Sequence, residues 1–310
     1  MSDINDNYIA LSFDVEDWYH TPLVTGSSFS KYPDIEDFLN DNNTDVIDCI
    51  TEETLRLLDI LDSYKVTATF FIVSDVAERY DKIRNALKGS RHEIASHSST
   101  HKIPINSDTK QDVQSHDVWY KELLDSKMTL EKIFETKIIG YRAPGAYFAN
   151  WMVPLLEQAG FKYDSSIAYN SLYSKTNIKL KNIPSAPYLI NAEKLDNSAP
   201  ASNLTELPWS NLKVAKNIIL PVGGAYFFRL LGYKYFKHAI SKALKNGDTM
   251  FYMHPYDIST KKIPAENGKR PLFWINKGLK TERKFIKLLK EYKGRFRSCK
   301  DVYYKSIKSE

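Results

Sequence analysis

Tyr8-Ile-Ala-Leu-Ser-Phe-Asp-Val-Glu-Asp17 opens with a mostly apolar run that leads straight into three carboxylates. The run reads as a buried strand, and its end is where the chemistry starts. Asp14 and Glu16 alternate, so on an extended chain they share one face, whereas Asp17 points elsewhere unless the strand has already ended. Working outward, Lys65-Val-Thr-Ala-Thr-Phe-Phe-Ile-Val73 is a second strand, rich in β-branched and aromatic residues. Shorter strands are expected at 92–95, 137–141, 161–164, 249–253 and 295–298. Helical spacing of apolar residues fills 46–62, 75–88, 108–134, 149–159, 233–246 and 277–292. Strands that alternate with helices in this way predict a mainly parallel α/β sheet, either a barrel or a doubly wound layer. The chain shows no strong linker, internal repeat or low-complexity segment, so one domain over 1–310 is expected. Residues 166–221 break into Ser, Asn, Pro and Lys. A stretch that long is expected to hold small strands of its own or to cover a site.

Composition narrows the possibilities further. With 43% hydrophobic and 26% charged residues among 310, the chain buries a large core and excludes long-range disorder. A net charge of +5 is too mild to argue for nucleic acid. The charge is uneven: residues 1–62 hold fifteen Asp/Glu and two Lys/Arg, and 277–310 hold twelve Lys/Arg and four Asp/Glu. Solvated helix faces explain this, and peripheral contact of the basic C-terminal region with a membrane surface is the sharper expectation. Cys49 and Cys299 form no disulfide framework, and the acidic N-terminus has no leader-like pattern, so a cytoplasmic location is expected.

Four strand ends carry polar residues that a core would not choose. The first ends in Asp14, Glu16 and Asp17. The strand at 92–95 ends in His97-Ser-Ser-Thr-His101, that at 137–141 in Arg142-Ala-Pro-Gly145, and that at 249–253 in His254-Pro-Tyr-Asp257. His97 and His101 stand four apart, on one face if the segment is a helical turn. Two imidazoles and one carboxylate make an open three-ligand site of the kind catalytic zinc uses. With a cation bound by one carboxylate of the first strand, another is free to act as a general base. Arg142 is placed to hold Asp14 ionised through paired hydrogen bonds, the Gly145 N–H to face an oxyanion, and His254 to act as a general acid.

Ser-Phe-Asp-Val-Glu-Asp (12–17), His-Glu-Ile-Ala-Ser-His-Ser-Ser-Thr-His (92–101), Tyr-Arg-Ala-Pro-Gly (141–145), Tyr-Asp-Ser-Ser (163–166) and Phe-Tyr-Met-His-Pro (251–255) occur in that order. Together they resemble the motifs of the polysaccharide deacetylase family, the NodB-homology or carbohydrate esterase family 4 enzymes, across residues 8–257. Asp-Val-Glu-Asp-Trp and Leu220-Pro-Val-Gly-Gly-Ala-Tyr-Phe-Phe-Arg229 resemble the branch found with exopolysaccharide and surface-glycan synthesis.

The resemblance implies a single-domain deformed (β/α) barrel of about seven strands, completed by the helix and strand at 277–300. It also implies metal-dependent removal of acetyl groups from N-acetylated sugars, with one divalent metal, zinc, as cofactor. Asp14 would then be the base that activates the attacking water, with Arg142 orienting it. His97 and His101 would bind the metal, Gly145 N–H would help to hold the oxyanion, and His254 would protonate the amine with support from Asp164. The adjacent aspartates of the usual family motif are here Asp-Val-Glu-Asp. The second metal-binding carboxylate is therefore Glu16 or Asp17, and strand alternation favours Glu16.

Trp18, Tyr147, Trp209 and Tyr226 are expected to bind the sugar, with Tyr19, Phe227 and Phe228 as further aromatic candidates. The Gly223-Gly224 pair suggests a close backbone approach or a loop over the site. The lack of a leader-like pattern points to a cytoplasmic glycan precursor, lipid- or nucleotide-linked. Two rival functions are hydrolysis of another C–N bond (a deformylase of a formamido sugar, or an allantoinase-like cyclic amide hydrolase) and non-catalytic sugar binding on the same fold.

Overall fold

The computed structural model describes residues 7–27, 30–42, 46–216, 218–263 and 274–308. Among them the strands are β1 (Ile9–Val15), β2 (Thr69–Ile72), β3 (Glu93–Ser96), β4 (Gly140–Tyr141), β5 (Tyr163–Asp164), β6 (Tyr188–Leu189), β7 (Thr205–Glu206), β8 (Asn211–Ala215), β9 (Ile218–Pro221), β10 (Thr249–Met253) and β11 (Phe296–Arg297).

The main sheet runs β10-β1-β2-β3-β4-β5-β7-β6. Pairing is parallel from β10 through β7, which gives seven parallel strands in a row, and β6 closes the far edge antiparallel. β11 pairs with the start of β1, and β8 with β9 forms a separate hairpin. This is the α/β barrel-like architecture expected, with the count of about seven met by the parallel strands. Every residue of β1 is buried, because a parallel strand covered on both faces has no solvent side.

Helices return the chain between strands and cover the sheet. The Thr51–Ser63 and His116–Phe134 helices bury Leu57, Leu58, Leu61 and Leu123, Leu130, Phe134 against the core. The expected helix at 75–88 is two, Ser74–Arg79 and Asp81–Leu87, broken at Tyr80. Helices Ile35–Asn42 and Cys299–Ser306 were not expected. The helix expected at 233–246 begins earlier, at Ala225, and kinks at Gly232. No helix among the described residues is long and apolar enough to cross a membrane.

The irregular stretch after β5 does both things expected of it. It carries β6 to β9, and its Tyr173, Lys175 and Trp209 reach the cleft at the strand ends. Gly224 shows why glycine stands there. Its φ is +138°, and a Cβ would collide with the Tyr252 carbonyl oxygen at 1.9 Å, so only glycine allows this close pass beside β10.

Candidate active site

The C-terminal ends of β1, β3, β4 and β10 open into one cleft of about 500 Å³. Asp14, Glu16, His97, His101, Gly145, Tyr147, Trp209, Tyr226 and His254 all line it. In a parallel sheet the strands end together, so residues far apart in sequence meet there.

Glu16, His97 and His101 converge. Each offers one ligand atom, and these atoms lie within 4.8 Å of one another. The histidine spacing works, but not through a helix. The segment is a loop in which Ser98 and His101 adopt left-handed φ of 70° and 63°. The Ser98 hydroxyl accepts from the His101 N–H at 3.0 Å, which closes the turn.

Second contacts fix both tautomers. His97 Nδ1 lies 2.8 Å from the Arg142 carbonyl, and His101 Nδ1 lies 2.7 Å from the His20 carbonyl. A carbonyl only accepts, so both Nδ1 atoms carry the proton and both Nε2 atoms present lone pairs to the site. His97 Nε2 is 3.5 Å from Glu16 Oε2, and His101 Nε2 is closer still. Neither His101 Nε2 nor Glu16 Oε2 has a hydrogen bond, although both are buried. Three lone-pair donors facing one another repel unless a cation lies between them, so this set fits a divalent metal.

The other Glu16 oxygen, Oε1, accepts from the Tyr256 hydroxyl at 3.1 Å, and His254 Nε2 stands 3.6 Å from it.

Asp14 sits in a different setting on the same strand face. Its Oδ1 accepts from Arg142 Nη1 at 2.5 Å. The fully buried guanidinium is itself locked by Ser12 Oγ, Ser165 O and Ser165 Oγ, each at 2.9 Å. Asp14 therefore has one fixed orientation into the cleft.

Several expectations need correction. Asp17 does not join the metal set, because its oxygens accept from Trp18 N–H (2.7 Å), Tyr80 O–H (2.7 Å) and Cys49 N–H (3.2 Å). It caps the turn after β1, and burial pushes its pKa up to about 6. Trp18 lines no part of the cleft: it packs edge-on against Phe38, and its indole N–H donates to the Ile47 carbonyl. Tyr19 and Phe228 are likewise core residues, whereas Phe227 reaches the cleft.

Asp164 does not support His254. It accepts from Ser166 N–H and Oγ–H and lies beside Glu206 on β7, and burial raises it to about 6. The residue beside His254 Nδ1 is Asp257, at 3.3 Å on the same turn, and the buried Arg229 grips Asp257 from the other side. Burial lowers His254 to about 4 against the pull of Glu16 and Asp14, so at neutral pH the resting imidazole is uncharged.

Sequence reasoning also passed over Tyr256, Asp257, Arg229, Tyr173, Lys175 and Tyr252. Asp257 and Arg229 lie inside the motifs His254-Pro-Tyr-Asp257 and Leu220–Arg229, but only the fold brings them together behind His254. Tyr173 and Lys175 lie where no periodicity points inward.

Residues 5–163, just over half of the chain, match the family model for polysaccharide deacetylase. The chain belongs to that family. Residues 171–304 match a domain of unknown function, DUF3473. Among curated proteins, a peptidoglycan deacetylase of Helicobacter pylori is 31% identical over 115 residues, 37% of each chain. A peptidoglycan-N-acetylglucosamine deacetylase of Bacillus cereus is 28% identical over 109 residues, 35% of this chain and 47% of that one. The chain thus spans less than half the length of these curated relatives. A Mycobacterium smegmatis crystal structure assigned to the polysaccharide deacetylases superposes with a TM-score of 0.61 over 97% of this chain and 91% of that one. At 19% identity this likeness speaks for the fold alone.

Proposed function

We propose that the protein is a metal-dependent carbohydrate N-deacetylase that hydrolyses the acetamido group of an N-acetylated sugar in a polysaccharide or glycan precursor. The observation that carries this reading is the division of labour between two carboxylates on one strand face. Glu16 meets two imidazole lone pairs, while Asp14 is clamped apart by Arg142. A site that only bound sugar would need neither.

The residues would act as follows. A divalent cation held by Glu16, His97 and His101 would polarise the amide carbonyl and lower the pKa of the attacking water. Asp14 takes the proton as the water oxygen bonds to the carbonyl carbon. Gly145, at φ +55° on the cleft wall, would offer its N–H to the developing oxyanion. The C–N bond then breaks, nitrogen receives a proton through His254, and acetate and the free amino sugar leave. Because His254 is neutral at rest, it must gain that proton within the cycle, and Asp14 is the source. Asp257 and Arg229 fix the imidazole while this happens. Tyr147, Trp209 and Tyr226 supply faces for the sugar.

The segments matched at 5–163 and 171–304 form one catalytic unit in this reading. β10 of the second pairs with β1 of the first, and both line the cleft.

The test is product analysis on a panel of N-acetyl and N-formyl sugars and nucleotide sugars with the zinc-loaded chain. Acetate and a new primary amine should appear one to one from N-acetyl substrates. Formate release alone would replace this reading with a deformylase. No hydrolysis across the panel would refute it.

A further inference from the structure

Lys175 brings a positive charge into the cleft that no residue of the proposed chemistry uses. It lies in the irregular stretch after β5 and lines the same cleft as Asp14, Glu16 and Gly145. Its Nζ donates one hydrogen bond, 2.7 Å to the Gly145 carbonyl, and lies 5.3 and 5.2 Å from the ring centroids of Tyr147 and Tyr173. Among the described residues no carboxylate lies within ion-pairing distance of it.

An ammonium has three donors, and one carbonyl bond leaves two unused on the wall of the cleft, where Lys175 is half-buried. Burial lowers Lys175 to about 8 while Glu16 pulls it up and Lys110 pushes it down, so it keeps its charge at neutral pH. A half-buried ammonium with free donors and no carboxylate beside it can take its counter-charge from a ligand in the cleft. Lys110 is a second cation near this wall, although it does not itself line the cleft. It lies 5.7 Å from the Tyr147 ring centroid and is held by the Ser107 and Ser174 carbonyls. The nearby carboxylate, Asp108, is exposed, and Glu16 across the cleft is claimed by the cation set.

We propose that Lys175 is an anion subsite, and that the natural substrate is an N-acylated sugar bearing a phosphate or carboxylate group. Lys175 receives that group directly. The inference deepens the deacetylase reading and takes the sugar from it. The charge preference stands on Lys175 alone.

The test measures affinity of the full, zinc-loaded chain for three probes: N-acetylglucosamine 1-phosphate, N-acetylglucosaminuronic acid and neutral methyl N-acetylglucosaminide. A hydrogen bond to a charged group corresponds to about tenfold or more, so at least one anionic probe should bind that much tighter than the neutral one. Comparing the two anionic arms tells phosphate from carboxylate. Lys175→Gln keeps a donor for the Gly145 carbonyl and removes the charge. It should erase the preference and leave neutral-probe affinity unchanged. Equal or weaker binding of both anionic probes by the wild type, which needs no variant, overturns the inference. So does a preference that survives Lys175→Gln. Acetate release is followed in parallel. Anion preference without acetate refutes the deacetylase reading alone, and acetate without anion preference refutes this one alone.

Discussion

Replacing Arg142 by Met tests the clamp on Asp14. The guanidinium is fully buried and serves four oxygen acceptors, among them Asp14 Oδ1 at 2.5 Å. Asp14 is itself only 3% exposed, so water does not replace the lost partner. Breaking a buried pair by removing one member costs about 3–5 kcal/mol, mostly for the charge left uncompensated. Asp14→Asn strands the opposite charge and is also destabilising. The double variant strands neither, so its cost should fall short of the sum by about 1–3 kcal/mol. Guanidinium unfolding at neutral pH, with chelator in every sample so that metal binding does not shift the midpoint, measures the cycle. A cost below about 1 kcal/mol for Arg142→Met would refute the reasoning, because the scale for a broken buried pair is several-fold larger. An additive double variant would do the same. Either result would mean that the clamp is not what holds Asp14.

Three further outcomes follow from the same geometry. Asp14→Asn should keep bound metal and lose turnover by about two to four orders of magnitude, whereas Glu16→Gln should lose metal; metal analysis beside acetate release would expose swapped roles. His254→Ala should retain metal and hydrolyse activated esters less badly than amides, because their leaving groups need no proton. An equal loss on both would make His254 purely positional. Glu93 on β3 is buried, and burial pushes its carboxyl from 4.5 up to about 7. The folded state therefore holds this proton more tightly than the unfolded chain. The resulting stability, at most about 3 kcal/mol, is complete at low pH and is lost as pH rises from about 4.5 through 7. Glu93→Gln should flatten that slope in unfolding curves taken across the window, and an unchanged slope would contradict the assignment.

The strands that matter were legible because each is an apolar run stopped by residues no core would select. β1 with Asp14 near its end and Glu16 just past it is the clearest case, and Asp17 leaves the site because the strand has ended and it caps the following turn. Side-chain direction at short strands was not legible. Asp164 stands in a recognised motif, yet its place on a two-residue strand beside Glu206 decides that it faces Ser166 and not His254. Trp18 looked like a cleft aromatic because it follows the carboxylates directly. The turn capped by Asp17 instead folds it inward onto Phe38. Tyr173 and Lys175 gave no signal because their segment has neither a helical nor a strand period. The neutral state of His254 depends on burial by residues from several elements, which a single strand end cannot report.

The central claim is that amide hydrolysis depends on a cation held by Glu16, His97 and His101. It is tested most directly by titrating zinc into chelator-stripped protein while recording acetate release from an N-acetylated oligosaccharide. The account predicts that activity rises linearly from baseline and levels at one zinc per chain, and that His97→Ala shows no rise while remaining folded. Full acetate release from stripped protein, or an equal rise in His97→Ala, would contradict it.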